Sequence, residues 1–329
     1  MPQDHLSQLS FKELALPDAL QQGIADAGFT HCTPIQARTL PIALEGRDVA
    51  GQAQTGTGKT AAFLLALYNT LQHREPLTGG LQGPRALVLA PTRELAVQIH
   101  SDAQILGRHT DFKLGIAFGG TDYEKQRTHI AAGVDILIGT PGRLIDYFKQ
   151  KVYGLGHVQV MVLDEADRMF DLGFIKDIRY MLRRLPPHDK RLNMLFSATL
   201  SHRVMELAYE HMNDPHLVRI EPEKVTADRV RQVIYFPSNE EKIPLLIGLL
   251  RKMAAKRTLV FVNTRREAER LERYLSHNGI KAQAISGDVP QNKRLRMITD
   301  FQAGELPVLI GTDVASRGLH IPEVSHVFN

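Results

Sequence analysis

Short apolar runs alternate along this chain with longer stretches in which apolar residues recur every third or fourth position. The runs are Ala86-Leu-Val-Leu-Ala90, Leu114-Gly-Ile-Ala-Phe118, Asp135-Ile-Leu-Ile138, residues 158–163 and Met194-Leu-Phe196. They are almost unbroken in apolar character, as strands buried on both faces must be. A shorter run over 48–52 begins the same way. Helical patterns lie between them, over 93–107, 143–150, 175–185 and 202–212, and another is expected over 17–27, closed by Gly28. Strands separated by helices predict a parallel sheet covered on both faces, with ligands at the carboxyl ends of the strands.

The pattern breaks at 220–229, a polar stretch without periodicity that reads as a linker. Alternation then resumes, with strands expected at 232–236, 258–262, 281–285, 307–310 and 325–328. Helices are expected at 240–254, 265–277 and 291–302. The organisation predicted is an α/β protein of two domains, 1–219 and 230–329, with a ligand cleft between them. The second is the shorter, and the chain stops directly after an apolar strand. It is therefore expected to be cut short at its C-terminal end.

Composition changes this picture little. An apolar fraction of 43% and a charged fraction of 23% fit a globular protein in water. One cysteine, Cys32, excludes an internal disulfide framework and is expected to be a small buried side chain. The first residues lack a basic and apolar leader, and no apolar run approaches the roughly 20 residues that span a bilayer. A cytoplasmic protein without a membrane contact is expected. A net charge of +4 and a pI near 9.1 allow a nucleic-acid partner without requiring one. The fourteen histidines show no metal-ligand spacing, so no zinc is expected.

The first candidate chemistry is Ala53-Gln-Thr55-Gly56-Thr57-Gly58-Lys59-Thr60, followed by an apolar helix start. Glycines let successive N–H groups turn into one concavity, Lys59 reaches phosphate oxygens, and the Thr60 hydroxyl can hold Mg²⁺. Ala53 stands where the usual pattern has glycine. The second is Asp164-Glu165-Ala-Asp167 at the end of a predicted strand. Alone, such a pair is more often a solvated turn. Beside a phosphate loop, Asp164 can hold Mg²⁺ and Glu165 can deprotonate an attacking water.

Together the loop and Asp164-Glu-Ala-Asp167 resemble the DEAD-box family of ATP-dependent RNA helicases. Further motifs match in order over almost the whole chain. Gly28-Phe29 and Thr33-Pro-Ile-Gln36 resemble its adenine-reading motif. Pro91-Thr92-Arg93, Gly119-Gly120 and Thr140-Pro141-Gly142-Arg143 resemble its RNA-backbone motifs. Ser197-Ala-Thr199 resembles the motif that couples hydrolysis to unwinding. In the second domain Thr264, Arg265, Gly287, Gln291, Arg294 and Thr312 fall on RNA-side motifs, and Asp313, Arg317, Gly318 and His320 fall nearer the nucleotide. The resemblance implies two RecA-like domains, ATP with Mg²⁺, and RNA held by its backbone with little sequence specificity. It also implies Lys59, Asp164, Glu165, Ser197 and Thr199 in catalysis. Stretches at 51–56, 171–179 and 317–322 resemble bacterial members that act in RNA degradation, with a ribonuclease partner in a degradosome-like assembly.

Each motif taken alone has a plainer reading. Phe29 could anchor the first helix, and Gln36 could be an ordinary residue at a helix start. Arg93 and Arg143 could be exposed residues after capped turns. The basic pairs Arg183-Arg184 and Lys190-Arg191 are expected to be surface. Three functions remain in view: an unwinding helicase, an ATP-gated RNA clamp that scaffolds nucleases, and a DNA helicase, the last disfavoured by the resemblance.

Two residues depart from the family pattern: Ser286 where many members have His, and His320 where many have Asp. The arginine-rich motif that supplies a finger to the γ-phosphate is not found. Loss of such a finger costs about 10³–10⁵ in rate in phosphate-loop enzymes. This chain alone is therefore expected to bind nucleotide but hydrolyse it slowly.

Overall fold

The computed structural model describes residues 6–54, 56–120, 122–220, 230–253, 256–286, 289–312 and 324–329. The chain divides into two compact units, Met1–Glu223 and Lys224–Asn329.

In the first unit the described strands are β1 Val49–Gln52, β2 Ala86–Leu89, β3 Leu114–Ala117, β4 Ile136–Gly139, β5 Val160–Leu163, β6 Leu192–Ser197 and β7 His216–Arg219. They form one parallel sheet in the order β3-β4-β2-β5-β6-β1-β7. The central strands β2, β4, β5 and β6 are buried along their whole length, which is why their sequences carry no polar alternation. The helices are α1 Asp18–Asp26, α2 Pro34–Leu44, α3 Lys59–His73, α4 Arg93–Leu106, α5 Tyr123–Ala131, α6 Pro141–Lys149, α7 Ala166–Asp171, α8 Ile175–Leu182 and α9 His202–His211. Two apolar clusters cover the sheet. One gathers α1, α2, α3 and α4 and includes Phe63, Leu64 and Ile99; the other gathers α6, α8 and α9 and includes Leu144, Met181 and Leu207.

The strands predicted in this unit are all present, with ends moved by a few residues. Two helices escape the sequence pattern. In α5 only Ile130 is buried, so there is almost no apolar stripe to read. The six-residue α7 is too short to show one.

In the second unit α10 Lys242–Met253, β8 Thr258–Phe261, α11 Arg265–His277, β9 Ala282–Ile285, α12 Gln291–Gln302, β10 Val308–Gly311 and β11 His326–Phe328 build a parallel sheet in the order β11-β8-β10-β9. One expectation fails here. Residues 232–236 form no strand; Ile234 and Phe236 are 77% and 94% exposed. The segment has strand-like composition, but a strand needs a hydrogen-bonded neighbour, and the described sheet offers it none.

Candidate nucleotide and RNA site

Strand order divides the carboxyl edge of the first sheet into two halves. Strands β5, β6 and β1 lie side by side and end in Asp164, Ser197 and the phosphate loop. Strands β3, β4 and β2 form the other half and end at Gly119, Thr140 and Pro91. The candidate nucleotide residues are thus gathered on one half and the candidate RNA residues on the other. The halves meet where β2 pairs with β5.

On the nucleotide half, the Ala53 N–H donates to the Ser197 carbonyl and ties the loop to β6. Thr57 closes the loop internally, its hydroxyl donating to the Gln54 carbonyl at 2.8 Å. Gly56 and Gly58 have φ of 80° and 88°, in the left-handed region that favours glycine. Gly58 caps α3, so Lys59 and Thr60 open that helix, whose N–H dipoles point back over the loop. Lys59 is 5% exposed, and among the described residues its Nζ has no hydrogen-bond partner. A buried amine without a partner is costly, and an anionic oxygen would relieve it. Thr55 lies outside the described residues.

Asp164 is buried at the end of β5, and its Oδ1 accepts from the Glu165 N–H at 2.9 Å. Burial pushes its carboxyl up, against the pull of the Lys59 ammonium. Burial, then the neighbouring Asp164, raises the Glu165 carboxyl to about 7. Glu165 also sits at φ 52°, ψ 53°. A left-handed conformation costs a non-glycine residue about 1–2 kcal/mol, and such strain gathers at functional sites. Behind this pair Asp167 Oδ2 accepts from both the Thr199 N–H and its hydroxyl at 3.0 Å. The Asp167 N–H donates to Ser197 Oγ at 3.1 Å. Ser197 and Thr199 therefore brace the turn that carries Glu165.

Gln36 is buried with both ends of its amide engaged. Its Oε1 accepts from the Thr33 N–H at 2.8 Å, and its Nε2 donates to the Gly58 carbonyl at 3.0 Å. A Cβ on Gly58 would lie 2.5 Å from that Nε2, so glycine also admits this contact. The amide expected to read adenine is turned here onto the phosphate loop. Phe29 keeps one face on buried Phe11, with ring centroids 6.2 Å apart, and remains 42% exposed.

On the RNA half, Thr92 caps α4, its hydroxyl accepting from the Leu95 N–H, and exposed Arg93 follows. The guanidinium of Arg93 lies against Gly119, 3.2 Å from where a Cβ would stand, and Gly120 has φ 84°. Pro141 is buried, Gly142 opens on free space, and Thr140 binds back to β3 through the Ala117 carbonyl. Arg143 lies over the rings of Tyr123 and Tyr147, 4.7 and 5.3 Å from their centroids, and donates to the Tyr147 hydroxyl.

Helix α5, which has no apolar stripe, joins the turns at Gly119 and Arg143. Its Gln126 amide accepts from the Phe118 N–H and donates to the Phe118 carbonyl, fixing the backbone just before Gly119. Its Tyr123 carbonyl accepts from the Tyr147 hydroxyl. The one available signal was Asp122 as a helix cap.

In the second unit, Thr264 caps α11, and Arg265 pairs with Glu269 at 2.7 Å. Gln291, which opens α12, is buried; Arg294 lies one turn on, and Thr312 follows β10. These positions lie after the carboxyl ends of β8, β9 and β10. Gly287, Asp313, Arg317, Gly318 and His320 lie outside the described residues. Cys32 is buried and its thiol is pushed up to about 11, mainly by burial.

The sequence matches the DEAD/DEAH box helicase model over residues 33–207 and the helicase conserved C-terminal domain over 241–329. The chain belongs to the DEAD-box helicase family. It is similar to the ATP-dependent RNA helicase RhlB of Psychromonas ingrahamii, 53% identical over the whole of this chain and 79% of that protein. The RhlB of Xanthomonas campestris pv. campestris is 57% identical over 98% of this chain and 57% of its own length. Among solved structures, Saccharomyces cerevisiae Dbp5 bound to RNA and ADP BeF3 is similar, with a TM-score of 0.83 and 31% identity. That match covers 97% of this chain and 79% of Dbp5. The two parallel-sheet units are the helicase architecture of this family.

Proposed function

We propose that this helicase hydrolyses ATP in response to RNA and uses the cycle to separate short RNA duplexes locally. One observation supports the reading: a single sheet edge gathers, on one half, a buried lysine with no hydrogen-bond partner among the described residues and two strained or buried carboxylates, and on the other half three turns that resemble the family's RNA-backbone motifs. Lys59 and the α3 N-terminus bind the phosphates. Thr60 and Asp164 would hold Mg²⁺, which supplies charge neutralisation on the phosphate oxygens. Among the described residues no three His, Cys, Asp or Glu side chains cluster as a metal site. Glu165 accepts the proton of the attacking water, and Asp167 passes its position to β6 through Ser197 and Thr199. Phe29 offers a face to the base, and Gln36 selects adenine by exchanging its bond to Gly58 for the base edge.

RNA lies by its backbone on Arg93, the Gly119–Gly120 turn and Arg143, and on Thr264, Arg265, Gln291, Arg294 and Thr312 of the second unit. Its recognition is insensitive to sequence, because backbone contacts carry no base information. A cytoplasmic place in RNA degradation, with a ribonuclease partner, rests on the subfamily-like stretches alone. Among the described residues no helix is long and apolar enough to cross a membrane.

The test is steady-state ATPase with RNA, in the native chain and in Glu165→Gln. RNA should stimulate turnover, and the variant should lose about 10² or more of it while keeping nucleotide affinity. An unchanged rate removes Glu165 from this role, and equal stimulation by DNA overturns the RNA assignment. Strand separation of a short duplex distinguishes unwinding from a clamp.

A further inference from the structure

Helix α8 and its last turn present a cationic stripe away from the motifs described above. Lys176, Arg179, Tyr180, Arg183 and Arg184 line one shallow groove, spaced as one helix face requires. The cations in and beside this groove are held in different ways. Arg179 is neutralised by Glu206 and Glu210 at 3.0 Å, and Arg183 leans toward Glu210 at 3.9 Å. Arg184 and Lys149 are held differently. The Arg184 guanidinium lies 3.5 Å from the Tyr180 ring centroid, and Lys149, at the end of α6, lies 5.3 Å from the same centroid. Phe148 packs edge-on against that ring at 6.4 Å. Among the described residues, Lys149, Lys176 and Arg184 have no carboxylate within ion-pair distance.

The distinction has a physical consequence. A cation ordered by a carboxylate is cancelled, whereas one ordered by an aromatic face is positioned and keeps its charge. Two cations on one tyrosine, with a third along the same face, make a preorganised positive surface whose natural complement is a repeating anion. The same device recurs at the other end of α6, where Arg143 is held by Tyr123 and Tyr147 at a candidate backbone-phosphate turn. Lys176 lies in the first turn of α8 and Arg184 in the turn that follows its end, and eight residues of α-helix would rise about 12 Å. One strand of duplex DNA carries a phosphate about every 3.4 Å of its axis, and the phosphates of an RNA strand also recur at a spacing of a few ångströms. The spacing therefore suits several successive phosphates.

We propose that Lys149, Lys176 and Arg184, arranged around Tyr180, form a second RNA surface that holds the phosphodiester backbone flanking the segment bound at Arg93 and Arg143. This rests on the RNA reading given above. It gives α6 a cation for RNA at each end and gives the enzyme a grip on RNA longer than its motifs cover. Glu206 and Glu210 bound the stripe on the α9 side and limit it to these three cations.

The experiment compares the unaltered protein with the triple variant Lys149→Gln, Lys176→Gln, Arg184→Gln. Two probes are used, a short oligouridylate that fills only the turn sites and a duplex with a single-stranded extension, each titrated over a range of salt. The variant should bind the extended RNA about tenfold more weakly. Its slope of log affinity against log salt should fall by about two, since each phosphate contact contributes about 0.7–0.9. Binding of the short probe and of nucleotide should be unchanged. Tyr180→Phe, which keeps the ring, should behave as the unaltered protein. Equal affinity and slope for the extended RNA in the triple variant overturn the inference and leave the stripe to an acidic protein segment. Equal losses on both probes also overturn it, because the stripe would then not be a separate surface. If the unaltered protein fails to bind even the short probe, the RNA reading itself falls.

Discussion

At the residue scale, several carboxylates here are held where ionisation is costly. In Glu165 the cost serves proposed chemistry, since a base whose carboxyl sits near 7 can both accept and release a proton. Asp102 on α4 has the same strain without a role in the candidate site. Burial alone raises its carboxyl to about 6. A carboxyl raised on folding stabilises the native state fully below its unfolded value, near 4. That contribution is lost as pH rises through about 6. Asp102→Asn removes the ionisation. Its advantage in denaturant midpoint should therefore be absent at pH 4 and reach about 1–2 kcal/mol by pH 8, after discounting for partial exposure. Parallel stability curves for the two proteins across that range would show that Asp102 is not held in this state.

At the scale of elements, α5 is the instructive case. It contributes one buried residue to the core, so it adds little to stability, yet it joins two turns, the one at Gly119 and the one at Arg143. Tyr123→Ala removes one of the two rings that hold Arg143. It should weaken RNA binding about five- to tenfold, the range of a partly exposed cation–π contact, and leave nucleotide affinity and the thermal midpoint nearly unchanged. Gln126→Ala should act similarly by freeing the backbone before Gly119. A fall in nucleotide affinity as large as the fall in RNA affinity would mean that α5 supports the sheet edge as a whole. The exposed 230–236 segment belongs at this scale too. Replacing Ile234 and Phe236 by Ser should reduce aggregation, read by light scattering, without lowering the unfolding midpoint, because neither side chain is buried.

At the scale of the whole molecule, the first unit has its own apolar cover on both sheet faces and every described residue of the candidate phosphate site. The proposed RNA residues are divided between the units. A chain of residues 1–223 should fold and bind Mg-ATP with affinity within about threefold of the whole chain, with RNA binding far weaker. RNA affinity equal to that of the whole chain would remove the second unit from the RNA site.

Much of this protein is readable from its sequence, and the reasons are local. Buried parallel strands are necessarily apolar runs, so β2 to β6 and β8 to β10 announce themselves. A phosphate loop needs glycines and a lysine at fixed spacing, so residues 56–60 do too. What depends on a neighbour distant in sequence is not legible in this way. The 232–236 run has the composition of a strand, but pairing decides whether it becomes one. Helix α5 has no stripe, because it is fastened by Gln126 and Tyr123 and not by core burial. Gln36 is plain as a motif residue, yet only packing shows its amide on Gly58 and the Thr33 N–H. The sequence by itself determined the fold class, the family and the identity of the candidate chemistry, because periodicity and turn chemistry are encoded residue by residue. Tertiary structure alone decided which half of the sheet edge each motif of the first unit occupies, that Lys59 is buried with no hydrogen-bond partner among the described residues, and which cations of α8 pair with carboxylates. Strand order and the distances between side chains are properties of the folded chain, with no counterpart in the spacing of residues along it.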